Sequence, residues 1–517
     1  MPRATARRIL LLAVAFGILV DVVVPGHAAG LNAPIVVAAL LAAAFAIAGR
    51  PGLERFDPAD AWMPVVALGL ASMAAVRADP WLVQADLLVA LALVCGTIAA
   101  LAGGRITRGV VPAVLNAGGA VLAAAFTGAM SVIGRPWPAG TGAAPVRARL
   151  GPWLPVLRGL VLAAPIVLLF ALLFASADAV FASLARSALS LPVEVDVADV
   201  SQRTIIVAVV AWGAAGLLVL AAGGLPALIP GPSHAASPPP RSLGAASATD
   251  LTAGGRPSAT IEAATVLFAV DALFAAFVIL QLAYLFGGRD TLAVAGMTYS
   301  DYARRGFFEL VAVAVLAGML VVCLDLAVRW RSRAQLAAGI VLLAVTGLVL
   351  VSALVRLRLY QDAYGWTELR FIVLVAIGWL AVALAITAVL LVTRRTSWTM
   401  HALGILVIAT LAGMNLVGPQ AYVAERNLER AIDPALVPPG GRSGLDRDYL
   451  ASLGDEAIPA VVASFDRLSP ADQAGLAAFL EHRDRRLATD PSLQGWPSLN
   501  VTRERARAAL DAWLAPR

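Results

Sequence analysis

Long apolar stretches dominate this chain and leave few folds open to it. Segments 9–24, 31–49, 61–77, 82–102, 110–133, 154–175, 203–222, 262–287, 306–328, 335–355, 370–392 and 401–417 carry few charges each. About 20 apolar residues in a helix cross a hydrocarbon core of about 30 Å. Within that core every backbone N–H and C=O must be satisfied internally, so helices or closed barrels are the only spanning structures. A barrel strand alternates apolar and polar residues, and these segments do not. The expected fold class is therefore all-α: a polytopic transmembrane helical bundle of 11–12 spans with a small C-terminal helical extramembrane domain. Composition agrees. Of 517 residues, 60% are hydrophobic and 14% charged, with a mean hydropathy of +0.83, whereas soluble domains carry about 25% charged residues.

The chain contains no lysine, so all 39 basic residues are arginine. Schiff-base chemistry and a Walker-type phosphate loop both need lysine and are excluded. With the heavy use of Ala, Gly, Val and Leu, this points to a GC-rich bacterial genome. The net charge of +6 sits in short loops between spans, where arginine sets orientation, and not in a nucleic-acid-binding patch. Cys95 and Cys323 lie in separate apolar runs and read as packing residues. The four histidines are scattered without ligand spacing, so no metal site, cofactor or catalytic group is expected.

The arginines also bear on topology. The N-terminus (Arg3, Arg7, Arg8), the loops 50–55, 105–108 and 135–158, "RWRSR" at 329–333, and Arg394–Arg395 can all be cytoplasmic only if one segment before residue 135 does not cross. Segment 110–133 contains Pro112, Asn116, Gly118 and Gly119, which suits a re-entrant or interfacial segment. Eleven spans then place the C-terminus outside, and twelve place both ends in the cytoplasm. The start, "MPRATARRILLLAVAFGILVDVVVPGHAAG", has signal-peptide features, but the many spans that follow favour an uncleaved first helix. Three regions are expected: 1–133, an N-terminal transmembrane region; 134–417, a core region with a flexible Pro/Ser/Gly-rich linker at 229–260; and 418–517, a helical tail outside the bilayer. In the tail, "DEAIPAVVASFDRLSPADQAGLAAFLEHRDRRLA" reads as two short amphipathic helices divided at Ser469-Pro470, with Ser469 an N-cap, and "NVTRERARAALDAWLA" as a third. Asn500, Val501 and Thr502 match a glycosylation sequon, a reading of little weight in a bacterium.

Three charged stretches stand out. In "SDYARRGFFELV" (300–311), Asp301, Arg305 and Glu309 fall on one helical ladder, with Tyr302 beside it and Arg304 on another face. The stretch is either an anchor at the membrane edge or a site where Arg304 or Arg305 holds an anionic group. In "RLRLYQDAYGWTELR" (356–370), Arg356, Tyr360 and Tyr364 are spaced by four, and Arg358 pairs with Asp362. The bland reading is an interfacial amphipathic helix. The loop at 329–333 separates these stretches by two spans, so both emerge on one face, and the end of 154–175 delivers Asp178 to that face as well. The candidate ligand-binding residues are Asp178, Tyr302, Arg304, Arg305, Glu309, Arg356, Arg358, Tyr360 and Tyr364. Asp271 stands alone within an apolar run. It is either a proton relay or a protonated acid bonded to a neighbouring helix, with Gln281 also bonding between helices.

"FALLFASADAVF", "LFAAFVILQLAYLFGG", "YSDYARRGFFELV", "LRLYQDAYGWTELR", "LDRDYLASLGDEAIPAVV" and "SLNVTRERARAAL" together resemble a bacterial family of multi-pass membrane proteins catalogued only as a domain of unknown function. The resemblance covers roughly residues 154–517. It implies a membrane location and a helical fold, and no activity. The expected function is a non-enzymatic envelope sensor or scaffold in the bacterial cytoplasmic (inner) membrane. Its partners would be the lipid bilayer and a protein bound by the tail. The alternative is a proton-coupled transporter or flippase of an anionic small molecule or lipid. A membrane glycosyltransferase is more distant, because the first external loop is too short to house a catalytic acid.

Overall fold

The computed structural model describes residues 3–102, 106–107, 153–178, 181–185, 257–287, 307–328, 332–439 and 441–515. Their regular structure is all helical. The main helices are α1 (Arg3–Val23), α2 (Asn32–Arg55), α3 (Trp62–Met73), α4 (Pro80–Leu101), α5 (Leu154–Ala177), α6 (Pro257–Gly287), α7 (Phe307–Val328), α8 (Arg333–Tyr364), α9 (Glu368–Val392) and α10 (Thr399–Val417). Beyond them come α11 (Pro419–Ile432), α12 (Arg447–Ser452), α13 (Ile458–Ser464), α14 (Pro470–Thr489) and α15 (Val501–Leu514). Six of these, α2, α4, α5, α6, α8 and α9, are long and apolar enough to cross a membrane, and a seventh span results if α10 and α11, bent by 49°, count as one. The chain is a multi-pass helical membrane protein. Segments 110–133 and 203–222, the loop 135–152 and residues 229–256 of the linker lie outside the described residues, while residues 257–260 form the first turn of α6.

One expected span is corrected. Segment 61–77 holds only the 12-residue helix α3, about 18 Å long at 1.5 Å per residue, well short of a 30 Å core. Its apolar pattern continues to Val76, but the helix stops at Met73. The following residues turn into Asp79, whose carboxylate accepts from Trp81 N (3.0 Å) and Leu82 N (3.3 Å) to cap α4, with Pro80 at the first helical position. A second correction concerns 356–364. These residues are not a separate interfacial helix. They are the last turns of the 32-residue α8, because no glycine or proline stands between Gly347 and Gly365 (φ 82°).

The described helices fall into two compact units. One takes Met1–Pro112, Gln361–Val375 and Gly404–Arg517; the other takes Ala113–Tyr360 and Ala376–Leu403. The first unit joins α1–α4 and the facing ends of α8 and α9 to the C-terminal helices α11–α15. The core of these C-terminal helices is built from the apolar faces of short amphipathic helices: Val423 and Leu428 of α11, Leu450 of α12, Ile458 and Val461 of α13, Leu476 and Leu480 of α14, and Leu510 of α15, closed by Trp366 and Phe371. Ser469 caps α14, its hydroxyl accepting from Asp472 N at 3.2 Å. In the second unit α5 and α6 pack closely. Gly159 makes this possible, since a Cβ there would lie 2.6 Å from Thr265 Cβ. Phe170, Phe174, Phe274 and Phe277 fill the seam, with Phe174 and Phe277 stacked at 3.9 Å.

Candidate functional site

Each unit buries a polar constellation. In the second unit it lies where α5 ends. The last carbonyls of a helix have no partner within it, and Arg356 of α8 supplies one: its Nη1 donates to Ala177 O at 2.9 Å. Its Nη2 donates to Asp178 Oδ2 at 2.7 Å, a buried ion pair in which Arg356 is 1% and Asp178 4% exposed. Gln281 of α6 donates from Nε2 to the same oxygen at 2.9 Å and accepts from Ser352 Oγ at 2.7 Å. Ser352 and Arg356 are four apart, so one face of α8 presents both. Asp178 Oδ1 accepts from Phe181 N at 3.1 Å. Nearby, Ser176 Oγ donates to Glu309 Oε1 of α7 at 3.2 Å. Three helices thus share one hydrogen-bonded network, and a fourth is tied in beside it.

The structure therefore brings Asp178 and Arg356 into contact and sets Glu309 against the end of α5. Gln281 bonds between helices. Asp271 is not part of the network. It is buried in α6, ten residues and about 15 Å of helix from Gln281, and its Oδ1 has no hydrogen-bond partner among the described residues. Arg358 is exposed, and Tyr360 and Tyr364 are half-buried. Tyr364 offers its carbonyl to Arg370 Nη1 at 3.3 Å. Tyr302, Arg304 and Arg305 lie outside the described residues, and with them the Asp301–Arg305–Glu309 ladder.

The constellation in the first unit escaped sequence reasoning. The carbonyls of Ala74, Ala75, Val76 and Arg77, just past α3, are each taken by the segment that starts α15. Asn500 Nδ2 donates to Ala74 O (2.9 Å) and Arg77 O (2.8 Å), Val501 N to Ala75 O (2.8 Å) and Thr502 Oγ1 to Val76 O (2.7 Å). Asn500 also caps α15 through Oδ1, which accepts from Arg503 N at 3.1 Å. It is 2% exposed, which leaves no room for a glycan. Arg77 in turn caps α10, donating to Asn415 O (2.6 Å) and Leu416 O (3.1 Å). Gly418, at φ 71°, leaves room for that guanidinium, which a Cβ would meet at 2.4 Å. Arg430 of α11 closes α8, donating to the carbonyls of Gln361 (3.1 Å) and Asp362.

Carboxylates complete this junction. Glu456 Oε1 accepts from Ala78 N at 3.0 Å, and its Oε2 lies 3.8 Å from Arg77 Nη1. Burial pushes the Glu456 carboxyl above the usual glutamate range, outweighing the nearby Arg77. Burial raises Asp79 likewise, against its two cap hydrogen bonds. Glu368 Oε1 accepts from Gln420 Nε2 at 2.8 Å, and Gln420 Oε1 accepts from Gly454 N at 3.0 Å. Glu368 N donates to Tyr449 Oη at 2.7 Å, and burial lifts that phenol to about 12. Within α4, Asp86 is fully buried and accepts at both carboxylate oxygens from Asn415 Nδ2, at 3.0 and 2.8 Å. The rule that singles out Asp271, a carboxylate inside an apolar run, picks out Asp86 in "PWLVQADLLVALALV" equally well.

Among the described residues no group of three or more His, Cys, Asp or Glu residues could hold a metal ion. What both constellations do is satisfy helix ends. A multi-pass membrane protein with its helix ends locked by buried polar side chains is the class that fold and site define. A family model described as "Domain of unknown function (DUF4153)" matches residues 65–464, and the chain belongs to that family. The match begins in α3, well before the motifs that carry the resemblance, and ends with α13. No curated protein and no solved structure matches the chain.

Proposed function

We propose that the chain is a non-enzymatic sensor or scaffold of the bacterial cell envelope, set in the cytoplasmic membrane with its helical domain outside. One observation carries the reading: residues 500–502 take up four consecutive carbonyls at the end of α3. A domain held by helix ends has to move, or release its bonds, when those helices shift. A partner bound to its solvent face then has differential affinity for two helix arrangements, which is the requirement for signalling. Placing the domain outside agrees with the arginines, since Arg50 and Arg55 end α2 away from the Gly30–Leu31 loop that touches it.

The test is photocrosslinking in cells from an exposed position of the outer domain, such as Arg485, in the full chain. A discrete protein adduct that is lost or altered in Asn500→Ala/Thr502→Ala supports the reading. Wild type and variant giving identical adducts, or none, would remove it. The second reading, a proton-coupled transporter or flippase, draws on Asp271. Against it, the Arg356 guanidinium is already neutralised by Asp178, so an anionic cargo would have to displace a buried carboxylate. A proton-dependent flux in liposomes that Asp271→Asn abolishes would favour this reading over the first.

A further inference from the structure

The outer domain has a side that does not look like the surface of a water-soluble module. From Pro491 to Thr502 the sequence "PSLQGWPSLNVT" carries no charge, although Asp490 and Arg503 flank it and the domain is otherwise rich in charge. Within it Trp496 (51%), Leu499 (46%) and Val501 (43%) are exposed. These large apolar side chains are held rigidly. Leu499 O accepts from Leu31 N at 3.0 Å, Ser492 O from Ala28 N at 2.8 Å, and Val501 N donates to Ala75 O at 2.8 Å. Gly30 has no room for a side chain, because a Cβ would lie 2.7 Å from Leu499 O.

Those partners set the depth of the stretch. Leu31 directly precedes α2, and Ala75 lies two residues past α3. The 22 residues of α4 measure about 33 Å, close to the roughly 30 Å hydrocarbon thickness, so the helix ends reach the headgroup level. Trp81, in the first turn of α4, is 75% exposed, where an interfacial aromatic belt is expected. Leu499 and Val501 are hydrogen-bonded within a residue or two of helix ends on this same side of the unit. Their exposed side chains therefore sit beside helix ends that α4's length places at the headgroup level.

We propose that Trp496, Leu499 and Val501 dip into the headgroup–acyl boundary of the leaflet on that side, so that the outer domain rests on lipid as well as on helix ends. The occupant of this face is the bilayer surface itself. The absence of charge fits that occupant, since charged side chains are costly there, and tryptophan prefers the boundary because its ring is apolar and its N–H can stay wet.

The test uses full-length protein in phosphatidylcholine liposomes. With Cys95→Ser and Cys323→Ser as background, Trp496→Cys is labelled with an environment-sensitive fluorophore, and Glu481→Cys, on the exposed side of α14, serves as a water-facing control. The expected result is blue-shifted emission at 496, several-fold weaker quenching by iodide than at 481, and strong quenching by lipids carrying a nitroxide near the headgroup. Leu499→Cys repeats the measurement independently should the first variant be unstable. Iodide quenching at 496 and 499 equal to that at 481, with no response to nitroxide lipid, would overturn the proposal. Shielding from both quenchers would overturn it too, since the face would then be covered by protein.

Discussion

The two buried polar constellations solve one problem in opposite ways. In the second unit a single arginine, 1% exposed, closes α5 and carries its own counter-ion, Asp178. In the first unit the ends of α3 and α10 are closed by neutral amides, a hydroxyl and an arginine whose side chain is 16% exposed and whose carboxylate partner is 3.8 Å away. The difference teaches where each kind of contact can be exchanged. Separating an ion pair inside apolar surroundings strands a charge and is costly. Bonds to carbonyls at the membrane edge can be replaced by water at a net cost of about 1 kcal/mol each. The constellation of the second unit therefore costs more to open than that of the first.

Arg356→Met tests the costlier site and has the largest expected effect. It removes the guanidinium that pairs with Asp178 and donates to Ala177 O, a cost of about 3–5 kcal/mol that is read as a drop in thermal unfolding midpoint in detergent. Adding Asp178→Asn should recover much of the loss. A double variant as unstable as the single one would mean that packing, not pairing, distinguishes this site.

Asn500→Ala comes next. It removes two bonds to α3 carbonyls and the cap of α15, for about 2 kcal/mol in all. Hydrogen exchange should rise in residues 74–79 and 500–503 while α5, α6 and α8 stay protected. Loss of protection throughout the chain would erase the contrast between the units.

The carboxylates give the junction in the first unit a pH dependence. Glu456 and Asp79 hold their protons more tightly in the docked domain than when exposed. Their contribution is fully present below the ordinary values of 4.5 and 3.8 and is lost as pH rises through the raised ones. The unfolding midpoint of the C-terminal helical domain should therefore fall as the medium is brought from acid toward neutral. Glu456→Gln should flatten that slope, and an unchanged slope would mean that Arg77 dominates instead. The smallest effect is expected for Ser469→Ala, about 1 kcal/mol, confined to α14 and without consequence for residues 74–79.

Much of the fold was legible in the sequence because the signals are local. Apolar length marked the spans α2, α4, α5, α6, α8 and α9, and Ser469-Pro470 marked the start of α14. Arginine-rich loops placed Asp178 and the start of 356–370 on one face, where Asp178 and Arg356 do meet. Segment 61–77 misled because apolar composition does not say where a helix turns, and the Asp79-Pro80 cap does. The tail looked like a separate module because charge density changes at Pro419. In the contacts its helices share a unit with α1–α4.

The sequence by itself determined a multi-pass helical membrane protein with a charged helical tail, because lipid tolerates only internally bonded backbone and the apolar runs record it. Only the tertiary structure decided which helix ends are closed by which side chains. Asn500 lies 426 residues from the carbonyl of Ala74 that it caps. A neutral amide carries no periodicity and no charge pattern, and every helix ends in the same unpaired carbonyls. Their partners are chosen by which ends the packed helices bring together.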